Sequence, residues 1–369
     1  MAACTPSSRD RYVDFLRAFS IVVVVIGHWI STMVVWDNQG ITGCNAVGVI
    51  PGMWVATWIL QVMPLFFFIG GFSNLITFNA LRSRGEPLRK FYRIRLVRLL
   101  KPTIVFIGFI LLLVALLIII TKDWTRFTRA SIGIVMPLWF LAVYLIVIMV
   151  TPVMRELHNR FRIIVPIVSV VLVVAVDSLR FGFRIPYVAW LNVLFVWLFV
   201  HQLGFFYGDG SLLRLPKWVY ALITAAGLGS LIVLTNIGVY PRSMVGTGFE
   251  KISNMNPPTI CIVALTLWLV GLAMLLRMPL NRWLNKQRPW MAVIAANTMI
   301  MTLYLWHLTA FAIAFIILYP TGLGHQPKSI PLFWLERPVW IIVPGIILTG
   351  LVAIFARFER PARVAKKEG

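Results

Sequence analysis

The sequence predicts an all-α integral membrane protein with about ten transmembrane helices and both termini in the cytoplasm. Hydrophobic residues make up 60% of the 369 residues and charged residues only 12%, with a mean hydropathy of +0.88. Soluble domains carry about twice that share of charge. Apolar segments long enough to cross a hydrocarbon core of about 30 Å recur along nearly the whole chain. We therefore expect one transmembrane domain over 1–369, ending in a short basic cytoplasmic tail at 358–369.

Ten apolar segments are separated from one another by turn residues or charges. We expect spans at 13–35, 51–80, 102–121, 136–153, 163–178, 186–207, 218–236, 257–276, 291–318 and 338–356. The first, second and ninth are long enough to tilt, kink or extend beyond the bilayer. The longest stretches outside the predicted spans are 83–101, 237–256 and 319–337.

The Lys and Arg residues are distributed unevenly between the two sides of the predicted bundle. Of the 34, 24 fall in segments on the same side as the N-terminus, nine fall in the opposite loops, and Arg17 lies within the first span. Basic loops stay in the cytoplasm, which predicts that both termini lie there. Contact with the lipid bilayer and correct insertion account for the net charge of +22, so nucleic acid is not expected as a partner.

Arg17 and His28 are unusual residues for the interior of a span, in the stretch "FLRAFSIVVVVIGHW". Together with Asp14 they fall within about 60° of one helix face, and His28 lies about 16 Å beyond Arg17 along the axis. Ionisable groups at such depth are costly against lipid, so this face is expected to line a cavity or the bundle interior. Snorkelling would explain Arg17 taken alone, and a structural hydrogen bond would explain His28. Both alternatives remain open.

Several short motifs follow one another along the chain. The first span carries an Arg, ten residues and a His in "RAFSIVVVVIGH", and the second carries "PLFFFIGGFSNLI". The basic segment "FYRIRLVRLLKP" contains an R-x-x-R pattern at Arg95 and Arg98, and "PLWFL" and "LYLWH" follow at 137–141 and 303–307. In this order the motifs resemble the acyltransferase type 3 family. Gly70, Ile94 and Lys101 depart from the family pattern.

The resemblance implies a ten-span bacterial enzyme of the cytoplasmic (inner) membrane. Such an enzyme moves an acyl group, expected to be acetyl, from cytoplasmic acyl-CoA to a hydroxyl of an envelope glycan, glycolipid or related acceptor. An envelope-biosynthesis protein is a further expected partner.

Acyl transfer from a thioester to a hydroxyl needs a base for the hydroxyl proton and an anchor for the phosphates of the carrier. His28 is the candidate base and Arg17 its candidate catalytic partner. Arg95 and Arg98 are the candidate ligands of the acyl-CoA phosphates, because guanidinium groups bind phosphate in bidentate geometry. Topology alone also requires basic residues in this inner segment, so that alternative stays open.

Other polar or aromatic residues in the spans could line the cavity or hydrogen-bond to a neighbouring helix. These are Asp14, Ser73, Asn74, Trp139, His201 and His307. No metal site is expected, because the five histidines lie on separate segments without ligand spacing.

Two other functions suit a buried Arg and His. One is a proton-coupled secondary transporter or flippase of an envelope precursor, and the other is an inactive membrane scaffold. Acidic residues are nearly absent from the spans, and the two halves show no matching pair of broken helices, which weighs against the transporter.

Overall fold

The computed structural model describes residues 9–37, 40–122, 131–248, 250, 252–324 and 330–359. Ten of its helices are long and apolar enough to cross a membrane within these residues. The predicted all-α membrane fold with ten spans is thereby confirmed. Most of the predicted tail, 360–369, lies outside the described residues, and the cytoplasmic position of the termini stays a prediction.

The described helices are numbered here in chain order. They are α1 (Arg11–Ser31), α2 (Ala46–Val49), α3 (Trp54–Leu60), α4 (Met63–Arg82), α5 (Leu88–Thr121), α6 (Leu138–Phe161), α7 (Ile164–Phe181), α8 (Leu191–Gly208), α9 (Lys217–Asn236), α10 (Ile260–Leu284), α11 (Gln287–Thr298), α12 (Ile300–Leu318), α13 (Ile330–Glu336) and α14 (Val339–Phe355). Short 3-10 turns lie at Pro186–Trp190, Leu212–Arg214, Tyr319–Thr321 and Ala356–Phe358.

The first helix begins at a polar cap and ends earlier than predicted. The Asp10 side chain accepts hydrogen bonds from two backbone N–H groups of the first turn of α1, as a helix N-cap does. After Ser31 the chain forms two antiparallel strands, β1 (Thr32–Asp37) and β2 (Gly40–Asn45). The predicted helical span to residue 35 is therefore too long. The sequence of β1 contains consecutive valines, whose branched side chains favour strand over helix.

Two of the long predicted spans are each built from two helices. The second is interrupted at Gln61 and Val62, between α3 and α4, and Pro64 is the second residue of α4. Proline suits the first turn of a helix because no intrahelical bond is lost there. The ninth is interrupted at Met299, between α11 and α12. Kinking of these long spans agrees with the prediction.

The basic segment expected to be a loop at 83–101 is mostly helical. Helix α5 begins at Leu88 and runs for 34 residues through Pro102. Arg, Lys and Leu are good helix formers, and no Gly or Pro lies between Leu88 and Lys101. At 1.5 Å per residue α5 is about 50 Å long, so it exceeds a hydrocarbon core and its basic end projects beyond it.

The buried apolar residues form two main clusters, and α1 contributes to both. Val24 packs in the larger cluster with α4, α8 and α10, whereas Val25 packs in the second with α5, α12 and α14. The helices α4 and α8 touch at their backbones, because a Cβ atom on Gly71 would lie 2.0 Å from the His201 carbonyl oxygen. Helix α1 is therefore held between two packed bodies, with its polar residues at their boundary.

Candidate functional site

His28 on α1 and His307 on α12 form a pair. Nδ1 of His28 lies 3.0 Å from Nε2 of His307, and the ring centroids are 5.0 Å apart. His307 is fully buried, whereas His28 is partly exposed. The structure thus joins the candidate base to a residue that the sequence offered only as cavity lining. Of the two rings, His28 is the more exposed.

The hydrogen-bond partners assign the tautomers of the two neutral rings. Nδ1 of His307 lies 2.7 Å from the carbonyl oxygen of Tyr304, which can only accept, so Nδ1 carries the proton. Nε2 of His307 is then an acceptor for the Nδ1–H of His28. This leaves a lone pair on Nε2 of His28, which is the form that a general base requires.

Two further contacts hold the helices of this pair together. The indole N–H of Trp29 donates to the backbone carbonyl of His307 at 2.9 Å. Nη1 of Arg337 donates to the carbonyl oxygens of Trp29, Ile30 and Thr32 at 3.1 to 3.3 Å. A cation at a helix C-terminus is favourable because the last carbonyls carry partial negative charge. Arg337, which sequence reasoning did not select, therefore fixes the end of α1 beside His28.

Arg17 is bound within the bundle. Its Nη1 donates to Asp14 at 3.1 Å and its Nη2 donates to the hydroxyl of Ser73 on α4 at 2.9 Å. Asp14 also pairs with Arg9. The predicted common face of Asp14 and Arg17 is therefore real in the structure, and Ser73 joins it. The Arg17 side chain retains 21% exposure.

Arg95 and Arg98 lie near Arg17, close enough for their charges to interact. We call these three residues the basic cluster. Arg95 donates through Nη2 to the backbone of Ser73 and to the hydroxyl of Thr77, while its buried Nε has no partner among the described residues. Arg98 is exposed. Like charges gathered in one place repel one another, and an anionic ligand would relieve that repulsion.

A carboxylate lies at the margin of the basic cluster. Glu359 accepts hydrogen bonds from the backbone N–H groups of Met301 and Thr302, each at 3.0 Å, and so caps the N-terminus of α12. Its charge also interacts with that of Arg98. Burial raises the pKa of Glu359, although these hydrogen bonds oppose the effect. The helix that carries His307 is thereby anchored beside the basic cluster.

Trp139 lies in a chain of aromatic rings that leads to the histidine pair. Ring centroids are 6.3 Å apart between Trp139 and Phe140, 5.6 Å between Phe140 and Tyr304, and 6.2 Å between Tyr304 and His307. Trp139 is 38% exposed. Trp139 is therefore the exposed end of this series of rings, and three ring contacts connect it to His307.

Asn74 and His201 are held apart from the histidine pair. Both are fully buried, and Nδ2 of Asn74 lies 3.1 Å from Nε2 of His201 across the close contact of α4 and α8. Within the described residues, no hydrogen bond or ring contact joins either side chain directly to His28. The structure thus places these two candidates in a helix interface.

Sequence reasoning missed a second buried histidine network. Nε2 of His158 lies 3.1 Å from Oδ2 of Asp209, and Gln202 donates to Nδ1 of His158 at 2.7 Å. Burial of Asp209 raises its pKa, but hydrogen bonds from Ser211 and His158 outweigh burial and hold that pKa below its ordinary value. The network ties α6 to the end of α8.

Comparison with known proteins identifies a family. The family model described as "Acyltransferase domain", which represents the acyltransferase type 3 family, matches residues 10–358. No curated protein and no solved structure matches the chain. Across residues 9–359, excluding the gaps noted above, no group of three or more His, Cys, Asp or Glu is arranged to hold a metal ion. The matched range includes the histidine pair and the basic cluster, and the chain belongs to the acyltransferase type 3 family.

Proposed function

We propose that this membrane acyltransferase moves an acyl group, expected to be acetyl, from cytoplasmic acyl-CoA to a hydroxyl of an envelope glycan, glycolipid or related acceptor. The family implies acyltransferase activity and the ten spans a membrane setting. The observation that carries the proposal is the histidine pair, because its hydrogen bonds leave a lone pair on Nε2 of His28, which has no hydrogen-bond partner among the described residues, on a partly exposed ring.

In the proposed reaction, Nε2 of His28 takes the proton of the acceptor hydroxyl. The oxygen attacks the thioester carbonyl carbon, and a tetrahedral intermediate forms. Its collapse breaks the carbon–sulfur bond, and the CoA thiolate leaves with the proton from His28. His307 accepts the Nδ1–H of His28 throughout, which orients the ring and stabilises the imidazolium that forms.

The basic cluster supports the donor assignment. Arg98 is exposed and near two further guanidinium groups, an arrangement suited to several phosphate oxygens. It lies toward the end of the bundle where Arg17 is found, about 16 Å along α1 from His28. A pantetheine arm can cover such a distance while the nucleotide stays at the basic cluster.

The test is a thioester assay on purified protein in neutral detergent, with acetyl-CoA and an envelope extract as acceptor source. We expect the wild type to release CoA and His28→Ala to lose at least a hundredfold in rate, since a positioned base contributes on the order of a hundredfold or more. His158→Gln serves as the matched histidine control and should stay active. Near-wild-type release by a normally folded His28→Ala would overturn the assignment of the base.

The same assay separates the enzyme from the competing transporter and from the scaffold. A transporter would move its cargo without consuming thioester. In a scaffold, replacement of His28 would have no effect. The family match favours the enzyme.

A further inference from the structure

Tyr144 on α6 lies beside the basic cluster. Its hydroxyl is close enough to the guanidinium groups of Arg17 and Arg95 for electrostatic interaction. A Cβ atom on Gly70 would lie 3.0 Å from this hydroxyl oxygen. Gly70 precedes Ser73, the hydroxyl partner of Arg17, by three residues on α4, which is nearly one turn, or about 4.5 Å of rise. The Tyr144 hydroxyl is therefore about one turn along α4 from the contact that binds Arg17.

Ring contacts connect Tyr144 to the histidine pair on its other side. The Tyr144 ring stacks on Phe140 with the centroids 5.7 Å apart and the planes 13° apart. Phe140 contacts Tyr304, and Tyr304 contacts His307. Tyr144 thus lies between the basic cluster and the histidine pair, on the side of the basic cluster.

The position of the Tyr144 ring is fixed by its neighbours. Phe140 covers one face, and Phe67 packs edge-on with the centroids 5.9 Å apart. On α4, a Cβ atom at Gly70 would lie 2.6 Å from Cε2 of Tyr144, which is too close for any side chain. Gly70 therefore makes room for the phenol, and the packing holds its hydroxyl in one place.

The Tyr144 hydroxyl has unused hydrogen-bonding capacity. It forms no hydrogen bond with the described residues, although Tyr144 is only partly exposed. Its oxygen is also not one of the described side-chain atoms that are buried without a partner, so it is accessible. Six of the other described tyrosines donate their hydroxyl to an oxygen of the protein: Tyr12, Tyr92, Tyr207, Tyr220, Tyr240 and Tyr304.

The chemistry of the donor indicates which of its groups suits this hydroxyl. Acyl-CoA consists of a charged nucleotide, a neutral pantetheine arm with two amide groups, and the thioester. Guanidinium groups only donate hydrogen bonds and suit phosphates, whereas a phenol both donates and accepts and suits an amide. On the path from the basic cluster to His28, the first amide of the arm follows the phosphates directly. Tyr144 is the first accessible hydroxyl beyond the contact of Arg17 with Ser73.

We propose that Tyr144 is a specificity-determining residue that hydrogen-bonds the pantetheine arm of acyl-CoA at the amide nearer the phosphates. This inference rests on the proposed function, because it takes the donor and its path from there. The protein then recognises its donor by the arm as well as by the phosphates. A phosphorylated compound without the arm would bind at the basic cluster but make no use of Tyr144.

The first experiment measures binding and needs no acyl transfer. CoA and the adenosine bisphosphate that forms its nucleotide end are titrated into the full chain in neutral detergent. Tyr144→Phe should weaken CoA about fivefold and leave the affinity for adenosine bisphosphate unchanged, because only CoA carries the arm. Arg98→Gln should weaken both probes. An equal loss for both probes in Tyr144→Phe, or a loss for neither, would overturn the proposal.

Thermal melting supplies the structural control. Tyr144→Phe removes an oxygen that has no partner among the described residues, so the melting temperature should not change. Tyr220→Phe is the matched control, because the Tyr220 hydroxyl donates to the Leu212 carbonyl at 2.7 Å. That control should lower the melting temperature and keep the affinity for CoA. A lower melting temperature in Tyr144→Phe would mean that its hydroxyl is engaged within the fold, and the proposal would fail.

Truncated donors locate the contact on the arm. S-acetylpantetheine keeps both amides but lacks the nucleotide, and S-acetyl-N-acetylcysteamine keeps only the amide nearer the thioester. Tyr144→Phe should lower kcat/KM about fivefold for the first and leave it unchanged for the second. A loss with both donors would place Tyr144 at the thioester, and a loss with neither would place it at the phosphates. Either result would contradict the proposed contact.

The same variants separate this inference from the proposed function. His28→Ala should lose transfer and keep its affinity for CoA. If His28→Ala stayed active while Tyr144→Phe weakened CoA alone, the base would be wrong and the contact with the arm would stand. If His28→Ala lost transfer while Tyr144→Phe bound CoA as tightly as the wild type, the base would stand and the role of Tyr144 would fail. A wild type that bound no CoA would refute the donor itself.

Discussion

At the scale of single residues, His28 and His307 have different tasks because their environments differ. His28 is partly exposed and keeps a free lone pair, whereas His307 is fully buried with both nitrogens engaged. A ring that is buried and fully hydrogen-bonded cannot take a proton from substrate, but it can hold its neighbour. In the proposed reaction His307 is therefore a positioning residue.

Replacing His307 tests this division. His307→Phe keeps a ring but removes the acceptor for the Nδ1–H of His28, so kcat should fall about a hundredfold with both KM values nearly unchanged. His307→Gln retains an acceptor oxygen and should recover part of the loss. Steady-state kinetics of the two variants provide the measurement. Equal loss in both, accompanied by a lower melting temperature, would instead show a purely structural role.

The sequence predicted His28 as the base, but it did not predict the contact of His28 with His307. The common face of Asp14, Arg17 and His28 follows from helical spacing within one span, because 100° per residue needs no tertiary information. The contact of His28 with His307 joins positions 279 residues apart. The contact of His158 with Asp209 could not be predicted for the same reason, because the two residues lie on different elements and helical spacing does not relate them.

At the scale of elements, the basic end of α5 presents its arginines in different environments. Arg95 is tied to α4 through Ser73 and Thr77, whereas Arg98 and Arg93 are exposed. A bound phosphate needs a guanidinium that is free to turn toward it. Arg98 meets that condition best, and Arg95 combines phosphate attraction with a structural contact.

Single substitutions on α5 should separate these roles. Arg98→Gln should raise the KM for acyl-CoA about tenfold and leave the acceptor KM and the melting temperature unchanged, because a remote anchor contributes mainly binding energy. Arg95→Gln should also lower the melting temperature. Arg93→Gln is the charge-matched control and should change neither KM. A similar KM increase in the control would mean that only the total charge of the segment matters.

The contact of α4 with α8 gives a second prediction at this scale. Gly71→Ala would bring a Cβ atom to 2.0 Å from a backbone oxygen, so the helices must separate. We expect a loss of about 2 kcal/mol, read as a lower melting temperature in detergent. Gly229→Ala is the control, since none of the described residues lies within 4 Å of its added Cβ. A melting temperature as high as that of the control would show that the interface is looser than described.

The positions of the elements were predicted best where hydropathy alone determines them. All ten spans were located because the membrane imposes length and apolarity. Their ends were less predictable, since Thr32–Asp37 is apolar enough to extend a helix and yet pairs as a strand. The basic stretch from Leu88 was expected to be a loop outside the spans. It is helical because Arg, Lys and Leu have high helix propensity, inside or outside a membrane.

At the scale of the whole molecule, the proposed base and the basic cluster lie far apart along α1. His28 lies about 25 Å from the start of α1, close to the far end of a hydrocarbon core of about 30 Å. The basic cluster lies near the other end of that helix, beside Arg17. A donor with charged phosphates and a polar acceptor can then approach from opposite faces, and neither carries its charge through lipid.

This separation predicts the sidedness of the reaction. The positive-inside rule places the basic cluster in the cytoplasm, so acyl-CoA should act from that face and the acceptor from the face that bears the segment from Trp36 to Gly48. The test uses oriented vesicles with membrane-impermeant acyl-CoA on one face only, and permeabilised vesicles as the control for total activity. Transfer should require acyl-CoA on the face of the basic cluster. If transfer required acyl-CoA on the opposite face, either the predicted orientation or the division of roles between Arg98 and His28 would be wrong. Proteolytic cleavage at Arg82–Glu86 distinguishes the two, because its sidedness would be inverted only if the orientation were wrong.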